Sequence, residues 1–217
     1  MMIFDILKNC FFSLVLLFLC ECLIAQTNSQ NGHRTQTTTK YPLVYQESFH
    51  QMIYEDSSMR VLDVFASAGD TTLFHQHCNP ILYIAIHGEE IGLLQPNGSW
   101  KHVSLPTDWI GHNIYSSDSC FVHKFTVCGE TYLQILAVEA KQEFEPVQGL
   151  DKAKYDENFV VFDWSNPDTT ENIHLNSSIL LVEKNCERKC QVSVRNSLEN
   201  VVLENFNIYS VGYKNSH

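Results

Sequence analysis

The sequence predicts an all-β fold, an antiparallel sandwich or barrel, on three observations. Apolar runs such as "RVLDVFA", "ILYIAIH" and "TYLQILAVE" are short, β-branched or aromatic, and separated by turn residues, which is the pattern of strands in a sheet. Pro96-Asn97-Gly98 lies between two such runs and marks a tight reversal. One stretch alone, "GLDKAKYDE" at 149–157, has helical character, and it reads as a short connector.

The first 25 residues read as an export signal: Lys8 precedes "CFFSLVLLFLC", Glu21 interrupts the apolar run, and Ala25 stands where a peptidase cuts. Without Glu21 the run is too short to span a bilayer, whereas Asp5 offsets Lys8 and Leu23 suits a cleavage site poorly, which leaves a retained anchor as the alternative. Residues 26–42, rich in Thr, Gln and Asn with no apolar periodicity, read as a flexible leader. From Leu43 to residue 148 come the runs "LVYQESF", "RVLDVFA", "ILYIAIH", "EIGLLQP", "WKHVSLP", "WIGHNIY", "CFVHKFTV" and "TYLQILAVE", enough for one β-barrel. Residues 149–217 read as a β-rich extension. There an apolar strand, a turn, Asp-Thr-Thr, a histidine and a second strand repeat the first region at an offset of about 98 residues, with His174 in the histidine's place. A degenerate second copy of the barrel is one reading; two strands and a turn alike by chance is the other.

Fourteen Lys and Arg against 25 Asp and Glu give a formal charge of −11. The phosphate-neutralising surface that nucleic acid requires is therefore missing, and anionic membranes are equally unsuitable partners once the signal is removed. A cut at Ala25 removes Cys10, Cys20 and Cys22 and leaves five cysteines, an odd number. In an exported chain Cys186 with Cys190, or Cys120 with Cys128, could close small loops; buried free thiols are the alternative. Asn97-Gly-Ser and Asn176-Ser-Ser are glycosylation acceptors in a host that has the machinery.

The chemistry gathers at His75-Gln-His77, since residues two apart on a strand share a face. In "FVHKFTV", Phe121, His123, Phe125 and Val127 share one face and Val122, Lys124 and Thr126 the other, so the apolar face is the buried one and His123 points inward. An inward His-x-His and one inward His from a distant strand can offer three facial nitrogens inside a barrel. Neutral imidazole is the commonest ligand of divalent transition metals, and three protein ligands leave positions open for a small molecule. His112, after Gly111 in "WIGHNIY", competes with His123 for the third place. The alternative without metal is a histidine cluster hydrogen-bonded in a polar pocket. His50, His87 and His102 read as surface or strand-end residues with no partner at ligand spacing.

These residues resemble the first motif of the cupin superfamily: Gly, five residues, His-x-His, three or four residues, Glu, six residues, Gly. Gly69, His75, His77 and Gly88 fall at those places, while Ile81 stands where the family has its Glu. The second motif is degenerate. Gly129-Glu130 follow His123 at the family's usual hairpin, but Asp118, Cys120 and Val127 occupy the Pro, Gly and Asn positions. The resemblance covers about residues 48–140 and implies a cupin-type jelly-roll β-barrel with one divalent metal, Fe, Mn, Ni or Zn, on His75, His77 and His123. Without the Glu the site resembles the three-histidine sites of thiol dioxygenases, which implies a more open centre with its positive charge uncompensated.

Tyr83, two residues beyond Ile81, and Gln134, after the Gly129 turn, are the expected ligand-binding residues. Cys78 is not expected to be a ligand, because alternation turns it away from His77. Glu55 and Arg60 are expected to pair across a turn. Two functions fit: an exported metalloprotein acting on or binding a small molecule, with dioxygenase chemistry as one form, or a cupin that binds or senses a ligand without turnover. Exposed barrel edges leave room for a homodimer.

Overall fold

The computed structural model describes residues 40–144, 153–155, 158–163, 174–183, 186–197 and 206–214. The expected signal segment, and the leader up to residue 39, lie outside them. After a short 3-10 turn at Val44–Gln46 come nine strands: β1 (His50–Glu55), β2 (Met59–Ser67), β3 (His75–His77), β4 (Ile81–His87), β5 (Glu90–Leu94), β6 (Trp100–Ser104), β7 (Ile110–Asn113), β8 (Phe121–Val127) and β9 (Tyr132–Ala140). They form two antiparallel sheets, in the orders β1-β2-β9-β4-β7 and β3-β8-β5-β6. Leaving aside the edge strand β1, strands β2 to β9 divide four and four between the two sheets and switch sheet at every step except the β5–β6 hairpin, which is the jelly-roll arrangement. The expected run at "LVYQESF" is the 3-10 turn rather than a strand. Just before Leu43, the Tyr41 and Pro42 carbonyls accept from Gln76 Nε2 and Gln76 N–H, each at 2.9 Å.

Two motif glycines have backbone reasons. Gly69 turns at φ +82°, a conformation that side chains with a Cβ rarely adopt. Gly88 packs against the Leu105 carbonyl so closely that a Cβ there would overlap it.

Strands β10 (Ala153–Tyr155), β11 (Phe159–Asp163), β12 (His174–Glu183), β13 (Val192–Ser197) and β14 (Phe206–Tyr213) form one further antiparallel sheet, ordered β10-β11-β14-β12-β13. Ala153–Tyr155 is a strand, so the helical reading of "GLDKAKYDE" does not hold there. The pairing of β10 with β11 gives those backbone groups their partners, and tertiary pairing overrides local propensity. The second sheet pair that a complete second barrel would need does not form among the described residues; β10–β14 make a single sheet.

That sheet covers the outside of the barrel. Met59, Val61, Leu82, Ile84, Leu136 and Val138 pack in one buried cluster with Phe159, Val161, Leu180, Val182, Tyr209 and Val211. The alternate residues Leu62, Val64, Ile81, Leu133, Ile135 and Ala137 face the barrel interior with Phe125 and Val127. The central sheet is therefore buried on both faces, which is why its strands read as nearly continuous apolar runs. Each side chain of this size contributes about 1.5–3 kcal/mol on burial.

Candidate metal centre

Strand β3 is three residues long and pairs antiparallel with β8, His75 opposite His123 and His77 opposite Phe121. Side chains directly opposite share a face, so the pairing brings all three histidines to the inner wall. They are buried, and one nitrogen from each lies within 4.8 Å of the other two. His75 donates from Nδ1 to the Leu73 carbonyl at 2.9 Å. That fixes its tautomer and leaves Nε2 a bare acceptor, buried without a partner. His77 Nε2 and His123 Nε2 lie 3.0 Å apart, and both Nδ1 atoms are buried without partners.

This arrangement fits a metal. Two imidazole nitrogens about 2.0–2.1 Å from one ion and at right angles to each other are about 2.9 Å apart, close to the 3.0 Å of His77 and His123. The ring centroids stand 4.6 Å (His75 to His123), 5.0 Å (His77 to His123) and 5.1 Å (His75 to His77) apart, near-equal separations suited to three ligands on one face of an ion. A polar cluster closed on itself is the poorer fit, because it leaves the bare His75 Nε2 buried without a partner at a cost of about 1–3 kcal/mol, whereas an ion shared with His77 Nε2 and His123 Nε2 would satisfy it.

Burial holds the histidines neutral. It pushes His75 down to about 4, with the His50 charge adding to it, and pushes His77 and His123 well below their ordinary value, with the neighbouring imidazoles adding to it. In the metal-free protein the unfolded chain then takes up protons first, from about pH 6.5 downward. Stability should be flat above pH 7 and fall as pH drops from about 6.5 towards 4, read as a falling urea midpoint. A midpoint unchanged between pH 7 and pH 5 would contradict this. Metal uptake, which needs neutral imidazole, should weaken over the same range.

The remaining sequence-predicted residues separate. Tyr83 lines the same cavity, with its ring 6.4 Å from His77. Its hydroxyl is held protonated by burial, then by the neighbouring Tyr115 and Glu139, against the opposing hydrogen bond of Asn113. Gln134 is a correction: it faces away from the interior. Its Nε2 donates to Asp63 Oδ1 at 3.0 Å and to the Cys190 carbonyl at 2.8 Å, while its Oε1 accepts from the Cys190 N–H at 2.7 Å. A second buried face, supplied by the C-terminal strands, is what the alternation argument lacked. Gln134→Ala should cost about 2–4 kcal/mol, because the buried Cys190 N–H and carbonyl both lose partners, with metal content unchanged. An equal loss of metal would return Gln134 to the site.

His112 pairs with Leu82 on the outer phase of β4, and its ring is 5.9 Å from Phe159, so it is outside the three-histidine cluster. Cys78 bonds Cys120, a pairing outside the two candidate loops; Cys186–Cys190, one of those candidates, forms, and Cys128 is free. Cys78 and Cys120 extend the β3–β8 register by one position, which set them opposite each other. Arg60 pairs with Glu55 as expected, and also with Glu139, each at 2.6 Å. His50 opens β1, the strand-end place expected of it, but it is neither at the surface nor without a partner at ligand spacing. It is buried beside His75, ring centroids 4.5 Å apart, and its Nδ1 donates to Glu47 Oε2 at 2.7 Å. The Glu-x-x-His spacing across the turn after Gln46 was the available signal.

His50, His77, Tyr83, His123 and a largely apolar wall, including Val64, Leu93, Trp109, Tyr115 and Phe125, enclose about 300 Å³, the small end of ligand-pocket sizes. Among the described residues no helix is long and apolar enough to cross a membrane.

Strand order and site together define a jelly-roll β-barrel whose wall carries three histidines that could hold a metal ion. No protein-family profile matches the chain, and no curated protein matches it. Among solved structures it is similar to a cupin domain from Bordetella pertussis Tohama I, at 14% identity and TM-score 0.39, over 48% of this chain and 99% of that one. It is similar to a double-stranded β-helix protein from Klebsiella pneumoniae, at 18% identity and TM-score 0.35, over 48% of this chain and 80% of that one. A third is the polyketide cyclase RemF from Streptomyces resistomycificus, at 16% identity and TM-score 0.34, over 52% of this chain and 80% of that one.

Proposed function

We propose that this chain is an exported cupin-fold metalloprotein that holds one divalent transition metal, Fe, Mn, Ni or Zn, on His75, His77 and His123, and takes a small molecule into the adjoining cavity. The observation that carries the reading is the bare, buried Nε2 of His75, aimed by the Leu73 carbonyl into a cluster with two further imidazole nitrogens. A bound metal would supply Lewis-acid or oxygen-activating chemistry at its open positions. The chain itself supplies three neutral donors, a largely apolar wall, and the Tyr83 hydroxyl, kept protonated, as a hydrogen-bond donor for a ligand.

Two disulfides are compatible with an oxidising compartment, which supports export; amino-terminal sequencing of the mature protein from its native host tests it. Metal analysis of protein purified without an affinity metal tests the site, with about one equivalent expected. No metal after reconstitution with Fe(II), Mn(II), Ni(II) and Zn(II) would end the reading. Oxygen uptake with a panel of thiols and diketones then separates a dioxygenase from the second reading, a binding or sensing module, which a loaded protein without turnover would favour.

A further inference from the structure

His75 belongs to two buried clusters, one with His77 and His123 and one with Glu47 and His50, whose candidate donor atoms also lie within 4.8 Å of one another. Glu47 is 3% exposed and His50 5%. A carboxylate at that depth needs compensation, and much of it is local. Glu47 accepts from the Phe49 N–H at 2.9 Å, His50 Nδ1 at 2.7 Å, and the Leu73 N–H and Ser48 hydroxyl at 3.3 Å each. Burial pushes its pKa up, but the hydrogen bond and charge of His50 and the two backbone N–H groups outweigh that and leave it lowered.

What Glu47 lacks is a permanent counter-charge. Of the three buried carboxylates among the described residues, Asp63 pairs with Lys189 at 2.7 Å and Glu139 with Arg60 at 2.6 Å. Glu47 has an imidazole alone. The three-histidine site has the converse deficit, since three neutral ligands leave a divalent cation's charge unbalanced, no carboxylate lines the cavity, and Ile81 occupies the place where the motif has its Glu. The two deficits meet at His75, whose ring is 4.5 Å from that of His50.

We infer that the Glu47–His50 pair is the anionic arm of the metal centre: Glu47, acting through His50 against His75, supplies beside the bound divalent cation the negative charge that Ile81 cannot. Glu47 is a positioning residue, outside the ligand set. The carboxylate accepts from His50 Nδ1 and so turns the opposite edge of that ring towards the cavity, of which His50 forms part of the wall.

The inference rests on the three-histidine reading, and the test separates the two. Zn(II) and Cu(I) affinities are measured by chelator competition on the parent, on Glu47→Gln, and on Glu47→Gln with Ile81→Glu; Co(II) spectra report the ligand set. Glu47→Gln should bind Zn(II) about 10–100-fold more weakly, lose much less affinity for the singly charged Cu(I), and keep the parent's Co(II) spectrum, and Ile81→Glu should restore most of the Zn(II) affinity. Unchanged Zn(II) affinity would overturn the inference, as would equal losses for Zn(II) and Cu(I), which mark a packing role. A parent that binds none of these ions overturns the three-histidine reading itself, and the inference with it.

Discussion

Replacing His75 and His77 together by alanine should take metal content from about one equivalent to near none, because a single remaining imidazole cannot hold a divalent ion against water. His123→Ala should also empty the site under dialysis, as it removes the one ligand supplied by β8. The same variants should not unfold the metal-free protein. His75 Nε2, His77 Nδ1 and His123 Nδ1 are buried without partners, and each such atom costs about 1–3 kcal/mol, the two Nδ1 atoms whether or not an ion sits on the Nε2 side. Truncation removes that cost and opens a cavity in exchange, so the metal-free urea midpoint should hold or rise. A site that gains stability when its functional groups are removed has traded folding free energy for binding. Variants that lose metal and fold together would assign these histidines to the core instead.

Removing the Cys78–Cys120 bond, by Cys78→Ser with Cys120→Ser or by reduction, should lower stability by roughly 4 kcal/mol on loop-closure grounds, given a separation of 42 residues. The effect should reach the metal. Strand β3 has three residues and three register pairs with β8, and the disulfide is its next rung, adjacent to His77. Unclasped, β3 can shift relative to β8, and the separation of His77 from His123 is what the ladder sets. Zn(II) affinity should therefore fall in the reduced protein while the Cys186→Ser Cys190→Ser variant retains it. Equal affinity in the oxidised and reduced forms would show that strand pairing alone holds the ligands.

The barrel strands were largely legible because their period-two alternation and turn residues follow from local chemistry. The His-x-His pair and the inward His123 were legible for the same reason, and so was Cys186–Cys190, whose separation of four is within local reach. Glu47 was not. It lies in a run read as a strand, and the 3-10 turn that aims it, with its Leu73 N–H contact 26 residues away, has no periodic signature. Cys78–Cys120 was missed because it depends on the register of two strands far apart in the chain.

By itself the sequence determined the class of fold and the inward face of each candidate ligand strand, since each is set by residue type and alternation. Only the tertiary structure decided that Gln134 lies on the outer face of the barrel, that His112 stands outside the three-histidine cluster, that Cys78 meets Cys120, and that Glu47 and His50 stand beside His75. The physical reason is that alternation says two faces exist but not what covers each. That was settled when the C-terminal sheet buried the outer face and the turn before β1 folded against β3.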